Sequence, residues 1–207
     1  MNTRLLLGGL ALASYGLLSY ALMLHAADAP WTVAALFGPL LLPPLAVAWR
    51  QRRLLLALLG LAAAAGLVLI VAAGGLGDVR RLYLLQHVAI HLVLGAGFAL
   101  TLMPGRTPLI TAMAGRLHAM TPAKSRYTRG LTWLWLGYFA GMAVLSLAVF
   151  ALGSWAAWSL LANVLTPVCI ATVFGLEYLL RYRLHPEFER VRLADVVRAW
   201  RSTDATR

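Results

Sequence analysis

Two histidines four residues apart, His87 and His91, are the most chemically versatile pair in this sequence. At that spacing they share one face of a helix. Two imidazoles so placed can hold zinc, but a structural or catalytic zinc site needs at least three protein ligands. No carboxylate stands nearby at the same depth. Glu177 lies in a later apolar run, roughly 21 Å further along the helix axis than Asn163, so a His–Glu dyad would need badly misregistered helices and is not expected. No metal and no cofactor is therefore expected. Gln86, His87, His91 and Asn163 instead fall in one layer near the outer end of two apolar runs. Such groups glue helices together by hydrogen bonds in hydrocarbon, or they line a small polar cavity for a ligand or a proton. We read them as glue.

Glu177 and Arg181 are spaced for an i, i+4 ion pair in the favourable order, and this pair is expected to fix the inner end of its helix. Cys169 is the single cysteine, which excludes an internal disulfide. Its neighbours Pro167, Val168, Ile170 and Ala171 offer no base or cation to form a thiolate, so a buried, inert thiol is expected. The chain lacks a CxxC pair, an HExxH helix, a GxSxG turn and a phosphate-cradling glycine loop. These residues name no catalytic group.

The elements that must position these residues are helices in a membrane. Of 207 residues 61% are hydrophobic and 12% charged, and the mean hydropathy is +0.79. A soluble domain carries about 25% charge, so most of this surface must face something other than water. Apolar runs of about 20 residues recur, enough to cross roughly 30 Å of hydrocarbon. The expected fold is all-α, a polytopic bundle over residues 1–181 with spans near 4–24, 31–49, 54–73, 82–103, 131–152 and 157–180. Residues 182–207 form a basic cytoplasmic tail. The first apolar core exceeds the 7–15 residues of a signal peptide, so it is read as a retained span. The second contains Pro39, Pro43 and Pro44 and should be kinked or split.

With six spans and the amino end inside, every one of the 18 basic residues except Arg80 and Arg81 falls on the cytoplasmic side. Both ends are thus expected on the cytoplasmic side of an inner membrane. Trp31, Trp49, Trp133, Trp155 and Trp158 lie near span ends, where interfacial anchors belong. The net charge of +11 is topogenic and does not point to nucleic acid. Arg106, Arg116, Lys124, Arg126 and Arg129 surround an apolar stripe of Leu109, Met113, Leu117 and Met120 in a long inner loop. In the tail, Leu193, Val196, Val197 and Trp200 make a second stripe beside Arg190, Arg192, Arg198 and Arg201. Both are candidate surfaces for anionic lipid of the inner leaflet, or for a partner protein.

Several passages of the second half resemble a family of small bacterial membrane proteins encoded beside enzymes that make aryl polyene pigments of the xanthomonadin type. They are Gln86-His87 through His91, FALTLMPGRTPLITAMAGRLH from Phe98, RYTRGLTWLW from Arg126, WSLLANVL from Trp158 and FGLEYLLRYRLHPEF from Phe174. The resemblance covers about half of the chain and implies a membrane component of polyene-lipid assembly, with no catalytic residue to carry over. It makes an accessory or scaffold protein the leading expectation, one whose basic inner surface holds acidic pathway proteins such as an acyl carrier protein. Two other classes stay open: a transporter or flippase subunit, and a membrane acyltransferase using His87 or His91.

Overall fold

A computed structural model describes residues 3–37, 78–116 and 119–185, with a few positions between 46 and 74. Among the described residues every regular element is helical: α1 Thr3–His25, α2 Val79–Thr101, α3 Leu109–Gly115, α4 Pro122–Leu152, α5 Trp155–Leu160 and α6 Thr166–Leu184. A π turn, Leu161–Leu165, joins α5 to α6, and residues 30–37 form a further helical run. The expected span 54–73, most of the span 31–49 with Pro39, Pro43 and Pro44, and the tail with Arg190, Arg192, Arg198 and Arg201 lie outside the described residues.

Among the described residues three stretches are long and apolar enough to cross a membrane: Val79–Thr101, Pro122–Leu152 and Trp155–Arg181, with mean hydropathies of 1.6, 1.9 and 1.9. Only 17%, 28% and 17% of their most apolar windows are buried within the chain. Leu85, Leu92, Val93, Val144, Val168 and Leu179 are each more than half exposed. Apolar surface of this extent is stable only against lipid or other protein. These helices are the mark of a membrane protein.

Local sequence explains where the helices begin and end. Pro30 opens its helical run, where a missing N–H costs nothing, and the Thr32 amide bonds back to the Ala29 carbonyl at 2.9 Å. At the far end of α2, Gly105 adopts φ 78°, a turn that side chains with a Cβ disfavour. Thr101 then accepts the Leu109 amide at 3.0 Å, which ties the start of α3 to the end of α2. Helix α4 begins at Pro122, well before the expected start near residue 131. Thr121 caps it, its hydroxyl accepting the Lys124 amide at 3.2 Å. Much of the expected long polar loop is therefore helix.

The chain divides into two compact units, Met1–His87 with Ser146–Pro167 and Val88–Leu145 with Val168–Arg207. The first has a core of Met23, Ala27, Val33, Leu36, Val79, Tyr83 and Trp158. Trp158 is 1% exposed, which corrects its reading as an interfacial anchor. Trp31 and Trp133 are more than half exposed, as an anchor requires. In the second unit, Trp135, Phe139 and Met142 are buried along α4, with Trp135 packed against Phe174 at 4.6 Å between ring centroids.

Candidate functional site

Helix α2 turns one polar face into the first unit. Arg80, Tyr83 and His87 stand at i, i+3 and i+7 and share that face. The Tyr83 hydroxyl donates to the Ala27 carbonyl at 3.1 Å and pins the turn that follows α1. One turn deeper, His87 meets a side chain on either edge of its ring. Its Nδ1 lies 3.1 Å from Ser146 Oγ on α4, and its Nε2 lies 3.2 Å from Thr166 Oγ1 at the start of α6. The ring also meets Trp158 edge-on, 6.0 Å between centroids and 75° between planes.

The direction of each bond follows from what each partner can do. An indole N–H only donates and a carbonyl only accepts. Trp158 Nε1 donates to Ser146 Oγ at 3.0 Å, which leaves the Ser146 proton to be given to His87 Nδ1. Thr166 Oγ1 donates to the Leu161 carbonyl at 2.8 Å, so its oxygen accepts from His87 Nε2. The result is a directed chain: indole, serine, imidazole, threonine, carbonyl. It selects the tautomer with the proton on Nε2, and both ring nitrogens are occupied by hydroxyls.

Pro167 explains why a carbonyl is available at this point. It has no N–H for the carbonyl four residues back, that of Asn163, and its ring crowds that position. The helix widens into the π turn. Leu161 then receives the Thr166 backbone amide as well as its hydroxyl. The Asn163 carbonyl swings toward α1, 2.7 Å from where a Cβ on Gly16 would sit. Only glycine allows this approach. The Asn163 side chain donates to the Ser159 carbonyl at 2.9 Å and to Met23 Sδ at 3.1 Å. Three other hydroxyls of this unit, those of Ser19, Thr32 and Ser159, are buried without a hydrogen-bond partner among the described residues.

The expected layer of Gln86, His87, His91 and Asn163 is thus rearranged. His87 joins Ser146, Trp158 and Thr166, of which the sequence reading grouped none with it, while Asn163 addresses α1. Gln86 is half-buried. His91, 4% exposed, packs between the Tyr138 and Phe139 rings, with centroids at 6.5 and 6.0 Å. A serine and a threonine inside apolar runs carry little sequence signal, because neither is costly enough in a membrane to stand out. Pro167, in the middle of a span, is a signal that the reading of the sequence passed over.

In the second unit Glu177 and Arg181 meet as a two-point pair, Nε to Oε1 and Nη2 to Oε2, both 2.6 Å. Tyr127, near the start of α4, donates to the same carboxylate at 2.8 Å. Glu177 therefore binds α4 to α6 as well as ending its own helix. Arg106, Arg116, Arg126 and Arg129 are exposed and Lys124 is half-buried. Of the apolar stripe among them, Leu109 and Met113 are four apart on α3 and share a face. Leu109 and Met120 are half-buried, Met113 is 47% exposed, and Leu117 lies outside the described residues. Helix α3 is held by Thr111, whose hydroxyl bonds Thr128 Oγ1 at 2.8 Å. Cys169 is exposed, which corrects its reading as buried. It borders an apolar groove with Gly137, Gly141 and Thr172. No group of three or more His, Cys, Asp or Glu side chains suited to a metal occurs among the described residues.

The chain matches no protein-family model, no curated protein and no solved structure.

Proposed function

We propose that this chain is a non-catalytic accessory protein of the bacterial inner membrane, with six spans and both ends in the cytoplasm. In this reading it gathers acidic soluble proteins at the bilayer where a lipid-like product, of the aryl polyene kind, is delivered. The observation that carries the non-catalytic part is the engagement of His87. Both of its nitrogens are tied to hydroxyls on α4 and α6, so a general base or nucleophile there would first have to dismantle the packing of three helices. The exposed Arg106, Arg116, Arg126 and Arg129 support the partner-binding part, since a cluster of like charge attracts an acidic carrier protein at low salt.

The test is co-purification of the full chain in detergent at low ionic strength. The wild type should retain an acyl carrier protein, and glutamine at all four arginines should release it. A doubly substituted H87Q/H91Q protein at normal expression should leave the amount of product unchanged. Failure of the wild type to hold any acidic pathway protein overturns the scaffold reading, and loss of product in the histidine variant favours an acyltransferase.

A second reading, a transporter or flippase subunit, draws on the π turn and on the hydroxyls of Ser19, Thr32 and Ser159, which have no hydrogen-bond partner among the described residues. Interrupted helices lined by polar groups are where transporters bind substrate. Lipid movement across reconstituted vesicles, lost on Thr166→Val and kept on removal of the basic loop charges, would favour it over scaffolding.

A further inference from the structure

The first unit also holds a cleft that shares only Trp158 with the hydrogen-bond chain through His87. It encloses about 160 Å³ and is lined by Asp78, Arg80, Phe150, Ser154, Trp155 and Trp158. The Arg80 guanidinium lies over the Trp155 ring, 5.3 Å from its centroid. Trp155 in turn stacks on Trp158, 5.1 Å between centroids and 17° between planes. The Trp155 indole is itself fixed, donating to the Met23 carbonyl at 2.7 Å. Asp78 Oδ1 accepts the Arg80 backbone amide at 3.0 Å, which holds carboxylate and guanidinium on the same turn. Both charged side chains are exposed, against a wall whose deepest member, Trp158, is buried.

One cation, one anion and an aromatic wall therefore converge on a single small opening at the end of a membrane-spanning helix. A simple anion would meet Arg80 but be repelled by Asp78, and a simple cation would suffer the reverse. A group that carries both charges a few ångströms apart satisfies both. We propose that this cleft binds an aminoalkyl phosphate, its phosphate on Arg80 and its ammonium on Asp78. Guanidinium is the side chain best shaped for a phosphate, and stacking on Trp155 holds it in place before the ligand arrives, so less freedom is lost on binding. A cleft of about 160 Å³ has room for a headgroup. The ligand is either the headgroup of a phospholipid or a soluble aminoalkyl phosphate. This site is independent of the partner-binding role proposed above.

Native mass spectrometry of the full chain released from micelles tests the assignment. Phosphatidylethanolamine and phosphatidylglycerol are titrated separately, and soluble glycerophosphoethanolamine is added as competitor. The wild type should retain the ethanolamine lipid about tenfold better than the glycerol lipid, the scale of one charge-assisted contact. R80Q should lower that retention about tenfold. D78N, which keeps the helix cap, should erase the preference between the two lipids while leaving both bound. R81Q alters a neighbouring exposed arginine that does not line the cleft and should change nothing. Displacement of the lipid by millimolar glycerophosphoethanolamine identifies the soluble source, and resistance to it identifies the lipid; both uphold the site. Equal retention of the two lipids by the wild type overturns the proposal, as does an R81Q effect equal to that of R80Q. Should R80Q fail to fold, D78N alone decides, because it removes one charge and no packing.

Discussion

Replacing Thr166 with valine removes one hydroxyl and almost no volume, and the directed chain through His87 fixes what that should cost. The hydroxyl makes two bonds, donating to the Leu161 carbonyl at 2.8 Å and accepting from His87 Nε2 at 3.2 Å. Side-chain hydrogen bonds between membrane helices average about 0.6 kcal/mol and reach about 1.7 kcal/mol. The variant should therefore be destabilised by roughly 1–3 kcal/mol. The Leu161 carbonyl keeps its backbone partner, the Thr166 amide, so its share falls at the low end. The informative quantity is the coupling to His87. In an H87F background the Nε2 bond is already gone, and T166V should cost only the Leu161 part. The difference between the two costs should be about 0.6–1.7 kcal/mol, roughly a three- to twentyfold change in an unfolding equilibrium. Unfolding by steric trapping in bicelles, on the wild type, both single variants and the double variant, measures it. Additivity within about 0.3 kcal/mol would refute the chain of bonds, and with it the structural role assigned to His87.

Other expectations follow from the same contacts. Gly16→Ala places a methyl 2.7 Å from the Asn163 carbonyl and should destabilise by about 1–3 kcal/mol; Gly8→Ala, with nothing within 4 Å, should be neutral or slightly stabilising in the same assay. Nitrogen-15 spectra of the labelled histidines should show a one-bond proton coupling at Nε2 of His87 and none at Nδ1, and the reverse tautomer would contradict the donor assignment. Tyr127→Phe removes a donor to Glu177 and should cost about 1 kcal/mol while leaving the Arg181 pair intact; Glu177→Ala should cost more, because it leaves the partly buried Arg181 without its carboxylate. A spin label on Cys169 should be relaxed more by oxygen than by a water-soluble nickel chelate in vesicles, and the opposite ratio would place that face of α6 in water.

Membrane character was legible because it is a bulk property. Long apolar runs and a low charge fraction leave no soluble alternative, and the runs placed at 82–103 and 157–180 agree with α2 and with the helix beginning at Trp155 to within a few residues. The start of α4 was not legible from hydropathy, since residues 122–130 are polar. It was legible in helix chemistry: Thr121 followed by Pro122 is a cap followed by the residue best suited to the first helical position. Hydropathy marks apolar length, whereas capping marks where backbone donors run out, and the two need not coincide along one helix.

The site was legible in part for a different reason. His87 stood out as a costly group in hydrocarbon, and Glu177 with Arg181 stood out by spacing. Their partners did not, because Ser146, Thr166 and Tyr127 are ordinary residues until a fold brings them near. Trp158 was misread because tryptophan at a span end has two uses, an anchor at the interface or a hydrogen-bond donor in the core, and sequence position alone does not choose between them. Cys169 was misread because a membrane inverts the usual logic. On a helix apolar enough to span a membrane the outer face is suited to lipid, so an apolar thiol gains nothing by burial.

One residue ties these features into a single arrangement. Pro167 frees the Asn163 carbonyl, and that carbonyl is accommodated only because position 16 is glycine. The same widening leaves the Leu161 carbonyl to the amide and hydroxyl of Thr166, and the hydroxyl, with its proton committed, has only its oxygen to offer His87. That choice sets the proton on Nε2, which leaves Nδ1 as an acceptor, and Ser146 can serve it only because Trp158 supplies the other bond. Each group thus has one permitted partner direction, and a register shift of one residue in α2 or α6 would strand at least one donor in hydrocarbon. Burial in lipid gives little preference among helix registers, since every face is apolar. A polar chain with fixed directions does, and this is why specificity of packing is the role that the geometry of His87 best explains.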